Sequence, residues 1–163
     1  MCIRDSVNAE TAGECRTACI ADENAQPYAC GLEATCEDAK TCALPPIQVC
    51  EEEPLFDDPY TIKSAPFVQG DRIDFELEYG GGCQDHEFVL CWNGDFVGQP
   101  PSAQAEIRLY HNANGDLCRA LITEIRSYNL APMRRAYNAQ FQSRTGTVDL
   151  IPYLFRGVVP YSF

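Results

Sequence analysis

Residues 72–79 read Arg72-Ile73-Asp74-Phe75-Glu76-Leu77-Glu78-Tyr79, with an apolar residue at every second position. A period of two puts Ile73, Phe75, Leu77 and Tyr79 on one side of an extended chain and the four charges on the other. That is the pattern of a half-buried strand in an antiparallel sheet. Gly80-Gly81-Gly82 ends the run, and the same period resumes downstream. Residues 86–92 place His86, Phe88, Leu90 and Trp92 on one face; residues 103–111 do the same with Ala105, Ile107, Leu109 and His111. Asn114-Gly115 reads as a two-residue hairpin turn, with residues 118–125 as the returning strand. Residues 147–154 and 158–163 supply a last hairpin around Arg156-Gly157, and Pro152 and Pro160 confine these runs to sheet edges. One helix interrupts the strands: Pro132 suits a first helical position, and Met133, Tyr137 and Phe141 form an apolar stripe. Ala131 is a poor cap, so the helix start rests on tertiary packing. The expected fold is mainly β, a small antiparallel β-sandwich with one short helix over residues 61–163.

Upstream the composition changes. The chain has 163 residues, 10 cysteines and a net charge of −12, and the first 60 residues hold seven of those cysteines and 13 of the 24 acidic groups. A charge of this sign argues against a nucleic-acid partner, since phosphate binding needs a basic surface. No apolar run approaches the roughly 20 residues that cross a bilayer as a helix. Residues 7–52 form a Cys-rich acidic region with Cys15, Cys19, Cys30, Cys36, Cys42 and Cys50 but few large apolar side chains. So short a stretch cannot fold on a hydrophobic core alone, and disulfides are the natural substitute. With no Cys-x-x-Cys pair and no histidine in the region, zinc fits it poorly. Paired cysteines place the protein in an oxidising compartment. Residues 53–60, with Pro54, Asp57, Asp58 and Pro59, read as a solvated acidic linker.

Residues 1–6, Met-Cys-Ile-Arg-Asp-Ser, back-translate as ATG TGT ATA AGA GAC AG, which resembles a transposon end used in preparing sequencing libraries. They are set aside from the fold. The native start, with any export signal, is then expected further upstream, and the cysteine count without Cys2 is odd.

The polar residues cluster in two strings, GGGCQDHEFVLCW at residues 80–92 and HNANGDLC at residues 111–118. Together they resemble a pattern in uncharacterised C-terminal domains of bacterial secreted proteins and lipoproteins: a Gly-Gly-Cys-x-x-His strand followed by a His-x-x-Asn-Gly-Asp-x-Cys hairpin. The resemblance covers residues 60–163 and implies a fold and a location outside the cytoplasm; it carries no activity.

Cys83 and Cys118 each fall at a strand end beside a turn, where a disulfide closing about 35 residues would stabilise the fold by roughly 4 kcal/mol. The competing reading joins them with His86 and His111 as a Cys₂His₂ site for zinc or copper, for which Cys-x-x-His has suitable spacing. Both histidines lie on apolar faces, where a neutral imidazole bonded to a carboxylate is the plain expectation; Asp85, Asp116 and Glu124 are the available partners. Asn112, Asn114 and Asp116 echo the spacing of calcium ligands, but only one is a carboxylate and no bidentate Glu follows. Cys91 sits on the opposite parity from His86, Phe88, Leu90 and Trp92, and is expected to be the odd thiol or to pair with a cysteine beyond the truncated start.

No nucleophile elbow, zincin helix or paired-carboxylate motif is present, so no catalytic residue is assigned. The functional expectation is a secreted or lipid-anchored bacterial module, extracellular or periplasmic, with a binding or structural role and an extracellular protein or surface ligand as partner. Metal binding through Cys83, His86, His111 and Cys118 is the alternative, with no other cofactor.

Overall fold

The computed structural model describes residues 44–163 apart from 51, 53, 55 and 102. The expectations for residues 1–6 and for Cys15, Cys19, Cys30, Cys36 and Cys42 lie outside the described residues.

Strand β1 (Gln48–Val49), β2 (Thr61–Ile62) and β3 (Phe67–Gln69) are short; β4 (Arg72–Gly81) carries the alternating stretch. Its inward residues Ile73, Phe75, Leu77 and Tyr79 are all buried. β5 (Glu87–Trp92), β6 (Ala103–Asn112), β7 (Ala120–Asn129), helix α1 (Ala131–Phe141), β8 (Thr147–Pro152) and β9 (Val159–Ser162) follow.

The strands form two sheets. In the first, β4 pairs along its whole length with β7, from Arg72↔Asn129 to Gly81↔Ala120, while β2 and β3 share its other edge. The second runs β1-β5-β6-β8-β9. Alternating faces of both sheets meet in one apolar core with Phe75, Leu90, Trp92, Ile107, Leu150, Tyr137 and Tyr161 at its centre. Two pairings, β1 with β5 and β6 with β8, are parallel. The second arises because the chain leaves β6 for β7 and α1 before re-entering beside β6, a detour long enough to restore its direction.

The turn at Asn114-Gly115 departs from the hairpin reading. β6 lies in one sheet and β7 in the other, so residues 113–119 are a crossover between sheets and not a two-residue hairpin. Asn114 and Gly115 do take positive φ, as such a turn needs. Residues 82–86 make the matching crossover from β4 to β5. Since Gly81 pairs with Ala120 and Glu87 with Asn112, both crossovers occupy the same end of the sandwich. Pro160 lies on edge strand β9; β8 lies inside the sheet, and Pro152 is its last residue.

The start of α1 is fixed by packing, with Leu130 and Met133 fully buried. A polar anchor helps, because the Asn129 Oδ1 accepts the Ala131 amide at 2.8 Å. Arg134 donates two bonds to Asp71, whose carboxylate also accepts the Tyr161 hydroxyl. Burial alone would raise the Asp71 pKa, but the bonds from Arg134 and Tyr161 outweigh it and hold the carboxyl below its ordinary range.

Residues 44–50 and 57–60 also lie against the sandwich. Ile47 is buried, its amide bonds the Asn129 carbonyl, and the Cys50 amide bonds the Trp92 carbonyl. Cys50 is disulfide-bonded to Cys91. This corrects the expectation of an odd thiol at Cys91. β1 pairs alongside β5 at this position, and the bond to Cys50 leaves Cys91 2% exposed.

Candidate functional site

The two crossovers are fastened together. Cys83 and Cys118 form a disulfide with Cα atoms 5.9 Å apart. Between them lies Asp116, whose Oδ2 accepts the amides of Cys83 and Gln84 at 2.8 and 2.9 Å and whose Oδ1 accepts the Cys118 amide at 2.8 Å. Three backbone donors from two loops therefore converge on one carboxylate. Led by the amides of Cys118 and Cys83, they hold it ionised far below the ordinary carboxylate range.

His86 and His111 sit just inside this staple. The period that buries Leu90 and Leu109 also turns both rings inward, and His111 is only 1% exposed. His86 Nε2 is 3.2 Å from Asp116 Oδ2, His86 Nδ1 is 2.7 Å from His111 Nε2, and His111 Nδ1 is 3.2 Å from the Asp58 carbonyl oxygen. A continuous chain thus runs from Asp116 through both rings to Asp58. Burial, then the neighbouring His86, push the His111 pKa down, against the raising effect of the Asp58 carbonyl.

Aromatic rings enclose the pair. Phe88 stacks on His111 with centroids 4.2 Å apart and planes inclined by 2°, while Tyr79 leans on both imidazoles and Tyr60 meets His111 edge-on. The Tyr79 hydroxyl donates to Glu124, which also accepts Arg126 Nε. Burial, reinforced by that bond, pushes the Tyr79 pKa up to about 12, and burial raises Tyr60 as well.

Of the carboxylates the sequence offered to the histidines, Asp116 meets His86. Glu124 is taken by Tyr79 and Arg126, and Asp85 contributes only its backbone carbonyl, to the Asn114 side chain at 2.6 Å. The Asn112 side-chain oxygen accepts the Asn114 amide, so of the calcium-like spacing Asn112 serves the turn and Asp116 the staple. Cys83 Sγ, Cys118 Sγ and an Asp116 oxygen lie within 4.8 Å of one another, but the sulfurs are bonded to each other and offer no thiolate in this state. Sequence reasoning missed Asp58, Tyr60 and Arg126. The first two lie in what reads as a linker, and Arg126 is a charge on the inward face of β7 whose partner, Glu124, also accepts the hydroxyl of Tyr79 from 45 residues earlier.

An open depression of about 240 Å³ adjoins this network; Pro59, Tyr60, Glu78, Tyr79, Gly80 and Leu121 are among its walls. Tyr60 and Tyr79 therefore touch His111 on one side and the depression on the other. No helix among the described residues is long and apolar enough to cross a membrane.

No family model matches the chain, and no curated protein matches it. Similar solved structures include a NigD-like immunity protein from Bacteroides caccae, 18% identical, with a TM-score of 0.47 over 73% of this chain and 59% of its own. A candidate lipoprotein from Bacteroides fragilis is 12% identical, with a TM-score of 0.44 over 74% of this chain and 68% of its own. A protein of unknown function from Bacteroides vulgatus is 17% identical, with a TM-score of 0.42 over 73% and 56%. The chain thus spans about three fifths of the length of the first of these.

Proposed function

We propose that the chain is a secreted or lipid-anchored bacterial module, working in the periplasm or outside the cell, with a binding or structural role. The observation that carries this reading is the pair of disulfides, Cys50–Cys91 and Cys83–Cys118, within one small sandwich. Such bonds persist in oxidising compartments and are rare in the cytosol. The chemistry-bearing side chains support a binding or structural role over a catalytic one: the His86 and Asp116 side chains are 2% and 0% exposed and hold the crossovers together. A partner is expected at the depression walled by Tyr60 and Tyr79.

Fractionation of the producing bacterium with an antibody against the sandwich tests the location. Protein in the envelope or the medium, with Cys50, Cys91, Cys83 and Cys118 all blocked to alkylation, is expected. Soluble cytoplasmic protein with these thiols free would overturn the reading.

Metal binding is a second reading, favoured by the convergence of Cys83, Asp116 and Cys118 with His86 beside them. Reduction of the Cys83–Cys118 bond would release two thiolates next to a carboxylate and an imidazole, a donor set suited to zinc or copper. Calorimetric titration of zinc into oxidised and reduced full-length protein distinguishes the cases. This reading requires uptake of one equivalent after reduction only, abolished by Cys83→Ala.

A further inference from the structure

An exposed sheet edge invites pairing with another chain, and short edge strands or edge prolines prevent it. Most edges of this sandwich carry such a device: β1 and β2 have two residues each, β3 has three, and β9 contains Pro160. β7 carries none. It runs for 10 residues without proline, lysine or bulge and pairs with β4 residue for residue. No described strand takes its other side between Leu121 and Ser127. Its inward charges, Glu124 and Arg126, are already matched to each other.

The last residue of β7 fixes where its free backbone groups point. The Asn129 amide donates to the Pro45 carbonyl and the Asn129 carbonyl accepts the Ile47 amide, whereas the Leu130 amide turns back to the Asp71 carbonyl. Both backbone groups of a strand residue point to one side, and the side alternates along the chain. Leu121, Thr123, Ile125 and Ser127 therefore aim their amides and carbonyls at the open edge. Their side chains lie on the outer face of the sheet, where Leu121 is 70% and Ile125 65% exposed. We propose that β7 is a dimerisation edge: two copies of the chain pair antiparallel through it about a two-fold axis at Thr123, so that Leu121 of each lies opposite Ile125 of the other.

The sequence of the edge selects both the partner and the register. Under a two-fold axis, residues equally distant from the centre face each other. A centre at Ile125 would set Leu121 of the second copy against Asn129, whose backbone groups Pro45 and Ile47 already occupy. A centre at Glu124 would set two carboxylates directly opposite, which is destabilising. At Thr123 neither occurs. Thr123 meets Thr123, and the two most exposed apolar side chains of the strand cover each other, both favourable cross-strand pairs.

Charge agrees with this register. It brings Arg119 opposite Ser127 of the second copy, and Ser127 and Ile125 neighbour Asp74 and Glu76 on β4. No ion pair among the described residues involves Arg119 or Glu76. Each copy thus offers a cation to the acidic outer face of the other. Leu121 also walls the depression at Tyr60 and Tyr79, so Ile125 of the second copy stands at its rim. The pairing stands whether or not that depression takes a ligand.

Sedimentation of the oxidised full chain, from about 1 µM to about 500 µM, spans the affinities that a small edge-to-edge interface supports. A reversible monomer–dimer equilibrium is expected. Monomer throughout would overturn the pairing and leave the edge to a strand of another protein. Thr123→Pro removes an amide hydrogen that faces the open edge, a change that an edge strand tolerates. It should weaken dimerisation by about tenfold or more, as should Ile125→Lys on the exposed face. Should Thr123→Pro fail to fold, Ile125→Lys alone decides; a dimer of undiminished affinity in a folded variant would place the interface elsewhere. The register has its own readout in a mixture of ¹³C-labelled and unlabelled chains. Leu121 and Ile125 lie about 13 Å apart along one strand, too far for a direct methyl–methyl NOE. An isotope-filtered NOE between them is therefore intermolecular and is expected. A dimer whose filtered NOEs omit this pair would refute the two-fold at Thr123.

Discussion

Cys50 and Cys91 are joined across 41 residues, with Cα atoms 5.6 Å apart, and this bond fastens segment 44–50 to the edge of β5. Closing a loop of that size removes enough freedom from the unfolded chain to stabilise the fold by about 4 kcal/mol in the chain-entropy model. The double substitution Cys50→Ala with Cys91→Ala should therefore lower Tm by well over ten degrees. Calorimetry of both proteins under oxidising conditions measures it; an unchanged Tm would mean that the segment is held by Ile47 and the β1 pairing alone.

Stability should fall with acid in two steps. His111 has a depressed pKa in the folded state, so the stability it supplies is complete above the ordinary value of about 6.5 and declines as pH falls below it, where the unfolded chain takes up a proton and the folded one does not. Asp116 is also depressed; its contribution is complete above about 4 and is lost as pH drops through the carboxylate range. Tm measured against pH should show both declines. His111→Gln should flatten the first and leave the second.

How far the sequence disclosed these features depends on how local each one is. The inward faces of β4, β5 and β6 were legible because a two-residue period is written in consecutive side chains: Ile73, Phe75 and Leu77 needed no distant information. The helix announced itself through Pro132 and the Met133–Tyr137–Phe141 stripe. Cys91 was misleading because parity along β5 says nothing about Cys50, 41 residues earlier, reaching it from the end of a strand that pairs beside β5. The same limit applied to Asn114-Gly115. Its turn chemistry is local, but whether the next strand returns to the same sheet depends on β7 finding β4. At the site, Cys83, His86, His111, Asp116 and Cys118 could be singled out as chemistry-bearing types near strand ends. The Asp58 carbonyl could not be, since any residue supplies one.

The Tyr137 hydroxyl is buried without a hydrogen-bond partner, although the ring packs against Phe96, Phe141 and Phe163. A buried hydroxyl left unpaired costs roughly 1–3 kcal/mol of desolvation. Tyr137→Phe removes only that oxygen and should raise stability by about 1 kcal/mol in urea unfolding. A loss instead would show that the hydroxyl is satisfied by a bound water.

Gly81 ends β4 directly beneath the histidine pair. A Cβ built there would lie 2.4 Å from His86 Nε2 and 3.0 Å from Asp116 Oδ2, and the residue has φ of +154°. Glycine at this position is what lets the imidazole and the carboxylate approach each other across the strand end. Gly81→Ala must therefore either push His86 away from Asp116 or bend β4 off Ala120, its partner on β7. Overpacking of this kind costs typically 1–3 kcal/mol, so a Tm loss of several degrees or more is expected. Gly70→Ala is the control: φ there is +56°, but no atom lies within 4 Å of the added methyl, so it reports backbone strain alone. The two variants should differ in the His86 ring nitrogen spectrum, with the Nε2 hydrogen perturbed only by Gly81→Ala. Equal effects of both on stability and on that signal would mean that Gly81 is needed for its backbone conformation and not for the space it leaves to His86.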